Sequence, residues 1–542
     1  CIRDRVIAYD RGDAQFPENF HMSFRLTYST MFNPPQEMHD RFDAAVEKTR
    51  AKLGGTYGHF INGQDVIAES VREDGSPINT SWVLGRFSVA TDDNVRQAVA
   101  AAKGAFPGWR ATPAAERIRL LRRVGELIEE RVYDIAAAVS LEVGKNRMEA
   151  IGEIQETADF YYHFCNDFEK HQGFDHQLPD DPLPDFASHN RSVMKPYGAW
   201  AVVSPFNFPF ALAGGPAAAA MVTGNTVVVK GAPETPWAVR LLADCIRDAG
   251  IPDGVFNCLL DPEDTAGPVL VDDPDIAGVT FTGSHDVGMQ ICRKSAEGRY
   301  PKPCIAEMGG KNAAIITKHG NLDRAVLGIM RSAFGLTGQK CSALSRVYVE
   351  DAIADALIEK LKPVVDAISV GDPTRAENYL GPIAHKEAYE HFKGYIAELR
   401  ESADVICGGD VATDGELADG YYCMPTVAEA PLDHRLWRHE MFAPVVMISR
   451  VPDKETGMQQ ANDTSLGLTA GFYGNAEETQ WFFDNIEAGV TYANRPQGAT
   501  TGAWPGYQPF GGWKGSGSTG KGLASFYYLA QYMREQSQTT VD

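Results

Sequence analysis

The 542-residue sequence predicts an α/β protein with two parallel-sheet domains. Three observations carry this reading. Between residues 198 and 320, short apolar strands alternate with helical segments, the strands falling at 199–203, 225–230, 255–260, 277–282 and 303–307. Such alternation implies parallel strands wound with crossover helices. A second alternating block begins after about 309, so the two units meet near residue 310. Finally, the stretch PYGAWAVVSPFNFPFALAGGPAAAAMVTGNTVVV (196–229) carries no charge, as strands covered on both faces do.

In chain order, residues 1–33 show no clear period and read as a loosely ordered arm. A helix is expected over 37–52. YGHFINGQDV (57–66) reads as a strand pair turning at Asn62-Gly63. Thr91 can cap a helix running to about Lys103. Thr112 and Pro113 open another, with Glu116 in its first turn and Ile118, Leu121, Val124 and Ile128 as its apolar stripe. A further helix is expected from Arg147 to Lys170, then a Pro/Asp-rich crossover at 173–190. The second block offers a helix at 322–336, a strand at 345–350, a helix at 351–367, and strands near 404–407 and 444–451. The end, SFYYLAQYMREQSQTTVD, reads as a helix passing into an exposed strand.

Composition narrows the function classes. A net charge of −22 repels nucleic-acid phosphates, so no nucleic-acid partner is expected. The nine cysteines form no CxxC pair and no metal-ligand spacing, which points to reduced thiols, a cytoplasmic protein and no metal site. No signal-peptide pattern is present, and a start at Cys1 is expected of a processed or truncated chain. The uncharged run is broken by Pro205, Pro209 and Pro216, so it reads as strand, loop, small-residue helix and strand rather than a membrane span.

Candidate chemistry falls at strand ends and loops. GLTGQKCSALSRVYVE (335–350) places Cys341 where an irregular, glycine-rich loop meets a strand; it is either an inert small hydrophobe or a nucleophile. In FTGSHDVGMQI (281–291), Gly283, Ser284 and Gly288 open a helix; they fit a phosphate-binding turn or a cap with a packing glycine. Lys230 ends the strand VVVK, where open sheets bind ligands or where a lysine simply meets solvent. Asn207 in SPFNFPF is a turn residue or an oxyanion donor. Glu307 in IAEMGGKN is a paired core acid or a general base with a raised pKa. Glu440 in HEMFAPVV is uninformative alone. As a set they fit one reaction: a thiolate adds to a carbonyl carbon, an amide holds the oxyanion, hydride leaves to a dinucleotide, and a base activates water. Lys340 and nearby helix dipoles are expected to raise the thiolate fraction of Cys341.

Six ordered motifs, SPFNFP, VVVKGAPETP, FTGSHDVG, EMGGKN, GQKCSA and HEMFAPV, make the chain from about 40 to 542 resemble the aldehyde dehydrogenase superfamily. The resemblance implies Cys341 as nucleophile, Glu307 as general base, and Asn207 with the Cys341 N–H as oxyanion hole. It further implies a dinucleotide held by Ser204, Phe206, Lys230, Gly283, Ser284, Gly288, Glu440 and Phe442. NAD is the expected cofactor, since 227–236 offers no arginine to a 2′-phosphate; NADP is not excluded, because Pro233 stands where NAD-preferring members often carry glutamate. The implied domains are a cofactor domain (34–184 and 199–308), a catalytic domain (309–512) and an oligomerisation flap (185–198 and 513–542), giving a homodimer or a dimer of dimers.

GQKCSA, TTGAWPGYQPFGG (500–512) and ETADFYYHF look most like the 1-pyrroline-5-carboxylate dehydrogenase subfamily, which oxidises glutamate γ-semialdehyde to glutamate in proline catabolism. By this resemblance Ser342, Gly502 and Ala503 grip the substrate's α-carboxylate, while Phe208 and Phe510 pack its aliphatic chain. Backbone N–H groups beside a hydroxyl do make a small anion nest. Another carboxylated semialdehyde, or a general aldehyde, is the alternative substrate. A cysteine hydrolase would need a histidine base, and no histidine stands in a recognisable nucleophile–base motif.

Overall fold

The computed structural model describes residues 24–182 and 184–542 of the chain. The first sheet runs Cys304–Glu307, Ile276–Thr282, Ala199–Val203, Thr226–Lys230, Phe256–Leu259, His59–Ile61, Gln64–Val66. Its first five strands are parallel, and the hairpin at Asn62-Gly63 adds two antiparallel ones. Val227–Val229 have no exposed surface, which is what the uncharged run foreshadowed. The helix between the two central strands, Ala211–Val222, is buried except at Leu212, and Gly214 and Gly215 let it lie against Thr157 and Phe160. Among the described residues no helix is long and apolar enough to cross a membrane.

The second sheet runs Asp404–Cys407, Thr426–Glu429, Val445–Val451, Leu344–Glu350, Asn312–Ile316, Thr469–Tyr473, Val490–Ala493; only Asp404–Cys407 is antiparallel to its neighbour. The chain changes sheets across Met308–Lys311, between the strand ending at Glu307 and the one starting at Asn312. Carboxyl ends of the first sheet therefore face the start of the second, and that is where the functional loops collect.

Several expectations need correction. Residues 24–33 are not a loose arm: Leu26 and Met31 are buried, and the Tyr28 hydroxyl donates to Glu156 at 2.7 Å. Residues 1–23 of that arm lie outside the described residues. The helix capped by Thr91 continues past Lys103 and Pro107 to Ala111, held by Trp109, whose indole donates to the Met221 carbonyl at 3.0 Å. The supposed crossover at 173–190 contains a strand, Asp175–Leu178, antiparallel to Ser188–Pro196. Ser188–Pro196 also pairs along its whole length with Met533–Val541, so the small sheet has three strands, one of them outside the expected flap boundaries. No C-terminal helix precedes that last strand. A single 3-10 turn, Leu529–Tyr532, stands there, because Leu529, Tyr528 and Tyr532 are drawn into the core and Tyr532 donates to or accepts from Thr280 at 3.0 Å. Residues 513–528 do not join the flap either: Trp513-Lys514 pairs with Leu466-Gly467, and Leu523 bridges to Phe510.

Candidate active site

Cys341 lies where two cavities meet. The larger, about 1000 Å³, opens at the carboxyl ends of the first sheet. The smaller, about 90 Å³, sits under the loop 497–510. Cys341 lines both.

The loop before Cys341 is strained and heavily pinned. Leu336 and Thr337 have φ of 50° and 54°, a left-handed conformation that β-branched Thr rarely adopts. The Leu336 N–H donates to Glu149 at 3.0 Å, and the Thr337 hydroxyl donates to the Gly381 carbonyl at 2.9 Å. Buried Gln339 receives the Ala384 N–H on its side-chain oxygen. Beyond the cysteine, Asn312 donates to the carbonyls of Cys341 and Ala343, both at 2.8 Å. The paired glycines of EMGGKN are required by close approach. A Cβ on Gly310 would come within 2.2 Å of the Cys341 carbonyl, and one on Gly309 within 2.0 Å of the Glu440 carboxylate.

Asn207 is buried and donates to the Gln339 carbonyl at 2.9 Å, which fixes its amide on the Cys341 side of the larger cleft. Glu307 accepts the Leu523 N–H at 3.4 Å, and burial pushes its carboxyl up to about 7. Glu440 accepts the Gly310 N–H at 2.8 Å and is pushed up to about 7 by the same cause. Burial pushes the Cys341 thiol up strongly, and the Glu307 and Glu440 carboxylates add to this, against the N–H groups of Ser342 and Cys341. The expected thiolate promotion by Lys340 is overturned. Its ammonium is taken by buried Glu149 at 2.7 Å, and burial favours the thiol over the thiolate.

The larger cleft gathers Ser204, Phe206, Lys230, Gly283, Ser284, Glu440 and Phe442 along its walls. Ser204 N–H donates to the Lys230 carbonyl, linking two adjacent strand ends; the strand order reverses next to them, between Ala199–Val203 and Ile276–Thr282, a usual ligand crevice in open sheets. Lys230 is 3% exposed; its ammonium is bonded to Asp264 and lies 3.7 Å from Asp261. Phe206 meets Phe442 and His385 edge-on. Ser284 caps the helix His285–Glu297 by accepting the Val287 N–H, and with Gly283 it places the start of that helix in the cleft wall. Gly288 does not line the cleft. A Cβ there would meet Met308 Sδ at 2.6 Å, which makes it a packing glycine.

The smaller cavity contains Ser342, Gly502, Ala503, Phe208 and Phe510. Gly502 has φ of 104°, open only to glycine without strain. Among the described residues no protein acceptor takes the N–H of Gly502 or Ala503. Sequence reasoning missed several residues in and behind the wall of this cavity. Arg495 pins the loop by donating to the carbonyls of Thr501 and Gly502 and to the Ser29 hydroxyl. Tyr28 stands edge-on to Trp504 and Phe208 at 5.1 and 6.3 Å. Glu156 faces the cavity, raised to about 8 by burial. Lys145 lies 3.7 Å over the Phe208 ring and pairs with Glu153 at 2.5 Å.

Comparison with known proteins agrees with this layout. The sequence profile described as "Aldehyde dehydrogenase family" matches residues 68–537. The 1-pyrroline-5-carboxylate dehydrogenase of Geobacillus thermodenitrificans is 33% identical over 494 residues, covering 90% of this chain and 94% of its own. A Thermus 1-pyrroline-5-carboxylate dehydrogenase with bound NAD superposes with a TM-score of 0.89 at 30% identity, over 95% of this chain and 99% of the other. Proline utilization A from Bdellovibrio bacteriovorus gives 0.88 at 32% identity; the match takes in 93% of this chain but only 52% of that longer one. A thiol placed between a dinucleotide-sized cleft and a smaller cavity, and a profile match spanning most of the sequence, lead to one assignment: the chain belongs to the aldehyde dehydrogenase family.

Proposed function

We propose that the enzyme oxidises L-glutamate γ-semialdehyde to L-glutamate with NAD, using Cys341 as nucleophile. The observation that carries this reading is the position of Cys341 at the junction of both cavities, so that one carbon can meet the sulfur from one side and a nicotinamide from the other. The aldehyde enters the smaller cavity. Gly502 and Ala503 N–H groups with the Ser342 hydroxyl receive its α-carboxylate, Phe208 and Phe510 its methylenes, and Glu156 its α-ammonium. The thiol proton leaves to solvent as the C–S bond forms, and Asn207 with the Cys341 N–H holds the oxyanion.

The larger cleft suits a dinucleotide: its glycine turn admits a phosphate, Lys230 and Glu440 in its lining are read as the holders of the two riboses, and Asp264 beside Lys230 disfavours a 2′-phosphate. When bound, NAD would supply the acceptor for the hydride on the carbon held by Cys341. Glu307, poised near 7, then draws a proton from the water that releases glutamate. The first-sheet unit is read as the cofactor domain and the second as the catalytic domain. The three-stranded sheet is read as a flap joining copies into a dimer, and the free state of all eight described cysteines fits a reducing cytoplasm.

The test is steady-state turnover with glutamate γ-semialdehyde, succinate semialdehyde and hexanal. The first is expected to give the highest kcat/KM. Equal values for hexanal would refute the carboxylate nest.

A further inference from the structure

Cys292 and Cys304 lie outside the mechanism above. Cys292 is in the middle of the helix His285–Glu297 and Cys304 opens the strand Cys304–Glu307. Their sulfurs are 3.5 Å apart, and both residues are half-buried rather than sealed in the core. The other described cysteines away from Cys341 are buried, and among the described residues no other sulfur–sulfur hydrogen bond is present. We propose that Cys292 and Cys304 form a reversible disulfide that senses hydroperoxides and weakens cofactor binding.

The chemistry is balanced within the pair. The two thiols are in hydrogen-bonding contact and either can donate; the contact draws the Cys292 pKa down to about 7 and pushes Cys304 up, so Cys292 is taken as the nucleophile. The Cys292 thiolate attacks a peroxide oxygen, breaking the O–O bond to give a sulfenic acid and hydroxide. Cys304 sulfur then displaces the sulfenic oxygen, which leaves as water with the Cys304 proton. Two thiols are oxidised, one peroxide is reduced, and a dithiol reductant reverses the bond by exchange.

The link to the cleft is mechanical. Closing the bond requires sulfurs about 2.05 Å apart, so they must approach by roughly 1.5 Å. On the same helix, Val287, Gln290, Ile291 and Lys294 line the larger cleft. The opposite wall is the helix Ala266–Asp272, through Gly267, Pro268 and Val271. Strand Cys304–Glu307 is the edge of the first sheet. Drawing the helix toward that edge pulls it from the opposite wall and widens the cleft. The amino-terminal half cannot follow freely, because Gly288 already packs on Met308, so the displacement concentrates at Ile291–Lys294.

The experiment uses the full chain carrying Cys341→Ser, which removes competing oxidation of the nucleophile. Hydrogen peroxide is titrated in, peptides are mapped by mass spectrometry, and NADH binding is followed by fluorescence. The expected result is one cross-link joining the peptides of Cys292 and Cys304, a loss of two thiols, and an NADH Kd raised at least threefold, all restored by dithiothreitol. Cys304→Ser should leave a Cys292 sulfenic acid that dimedone traps, without a Kd change. Absence of the cross-link, or a cross-link with unchanged Kd, would overturn the proposal. The affinity arm rests on the cofactor reading of the cleft; failure of the reduced protein to bind NADH would refute that reading, while the cross-link would still report on the sulfur pair.

Discussion

Replacing Glu307 with glutamine separates the two halves of the reaction. The structure gives the magnitude. With its carboxyl raised to about 7, Glu307 is about one-tenth ionised at pH 6 and about nine-tenths at pH 8, so base-limited turnover should rise roughly tenfold between them. The direction follows from burial, which favours the neutral acid, so the base is lost as pH falls through 7. Glutamine keeps the shape and removes the base, which costs on the order of 10²–10⁴ in steady-state kcat. Glu307 also pushes the Cys341 thiol up. Its neutral replacement should therefore leave the first turnover as fast or faster. Stopped-flow absorbance of NADH is expected to show one equivalent released in a burst, then a stalled steady state without the pH limb near 7. A missing burst would place Glu307 before hydride transfer. A surviving limb near 7 would assign it to Glu440, which burial raises to the same region, and the water-activation step would need another base.

Asn207→Asp keeps the volume but replaces a donor with an acceptor beside the developing oxyanion; kcat/KM should fall about 10²–10³-fold, with circular dichroism unchanged. Ser342→Ala removes one donor from the carboxylate nest, so kcat/KM for glutamate γ-semialdehyde should drop about tenfold while that for hexanal holds; parallel losses would mean a structural role. Glu156→Gln should narrow the preference for glutamate γ-semialdehyde over glutarate semialdehyde, which lacks only the amino group; an unchanged ratio would remove Glu156 from substrate recognition. Tyr28→Ala opens the cavity wall against Trp504 and Phe208, and should raise relative activity on aldehydes longer than the natural one.

Much of the first sheet was legible because its strands are continuous apolar runs closed by Gly, Asn or Pro, and such runs leave little choice of boundary. Thr226–Lys230 and Ile276–Thr282 fall within a residue of expectation. Candidate site residues were legible for a related reason: chemistry at the ends of parallel strands shares one face of the sheet, so Lys230, Ser204 and Gly283 meet without any knowledge of side-chain contacts. What stayed hidden depends on partners far apart in sequence. Nothing in GLTGQKC states that Leu336 and Thr337 adopt left-handed backbone, because the restraints come from Glu149 and Gly381. Nothing near Lys340 shows that its charge is already taken by Glu149. Residues 24–33 lack periodicity because they follow a cavity wall rather than form a helix or strand.

Glu156 was hidden differently, since its signal was present in the sequence. Glu149, Glu153 and Glu156 stand at i, i+4 and i+7 of the helix Arg147–Lys170, hence on one face. A row of acids normally marks a solvated face. Here Glu149 and Glu153 have no more than 2% exposure, and each holds a lysine, Lys340 and Lys145. Such pairs survive burial only with further hydrogen bonds. Glu149 adds the Leu336 N–H, and Glu153 adds those of Phe210 and Ala211. Glu156 breaks the pattern: among the described residues it makes no salt bridge and receives the Tyr28 hydroxyl alone. Burial without an ion pair raises its carboxyl to about 8. The same helix face thus neutralises two acids internally and presents the third to the cavity, where an ammonium-bearing substrate would complete the row and ionise it.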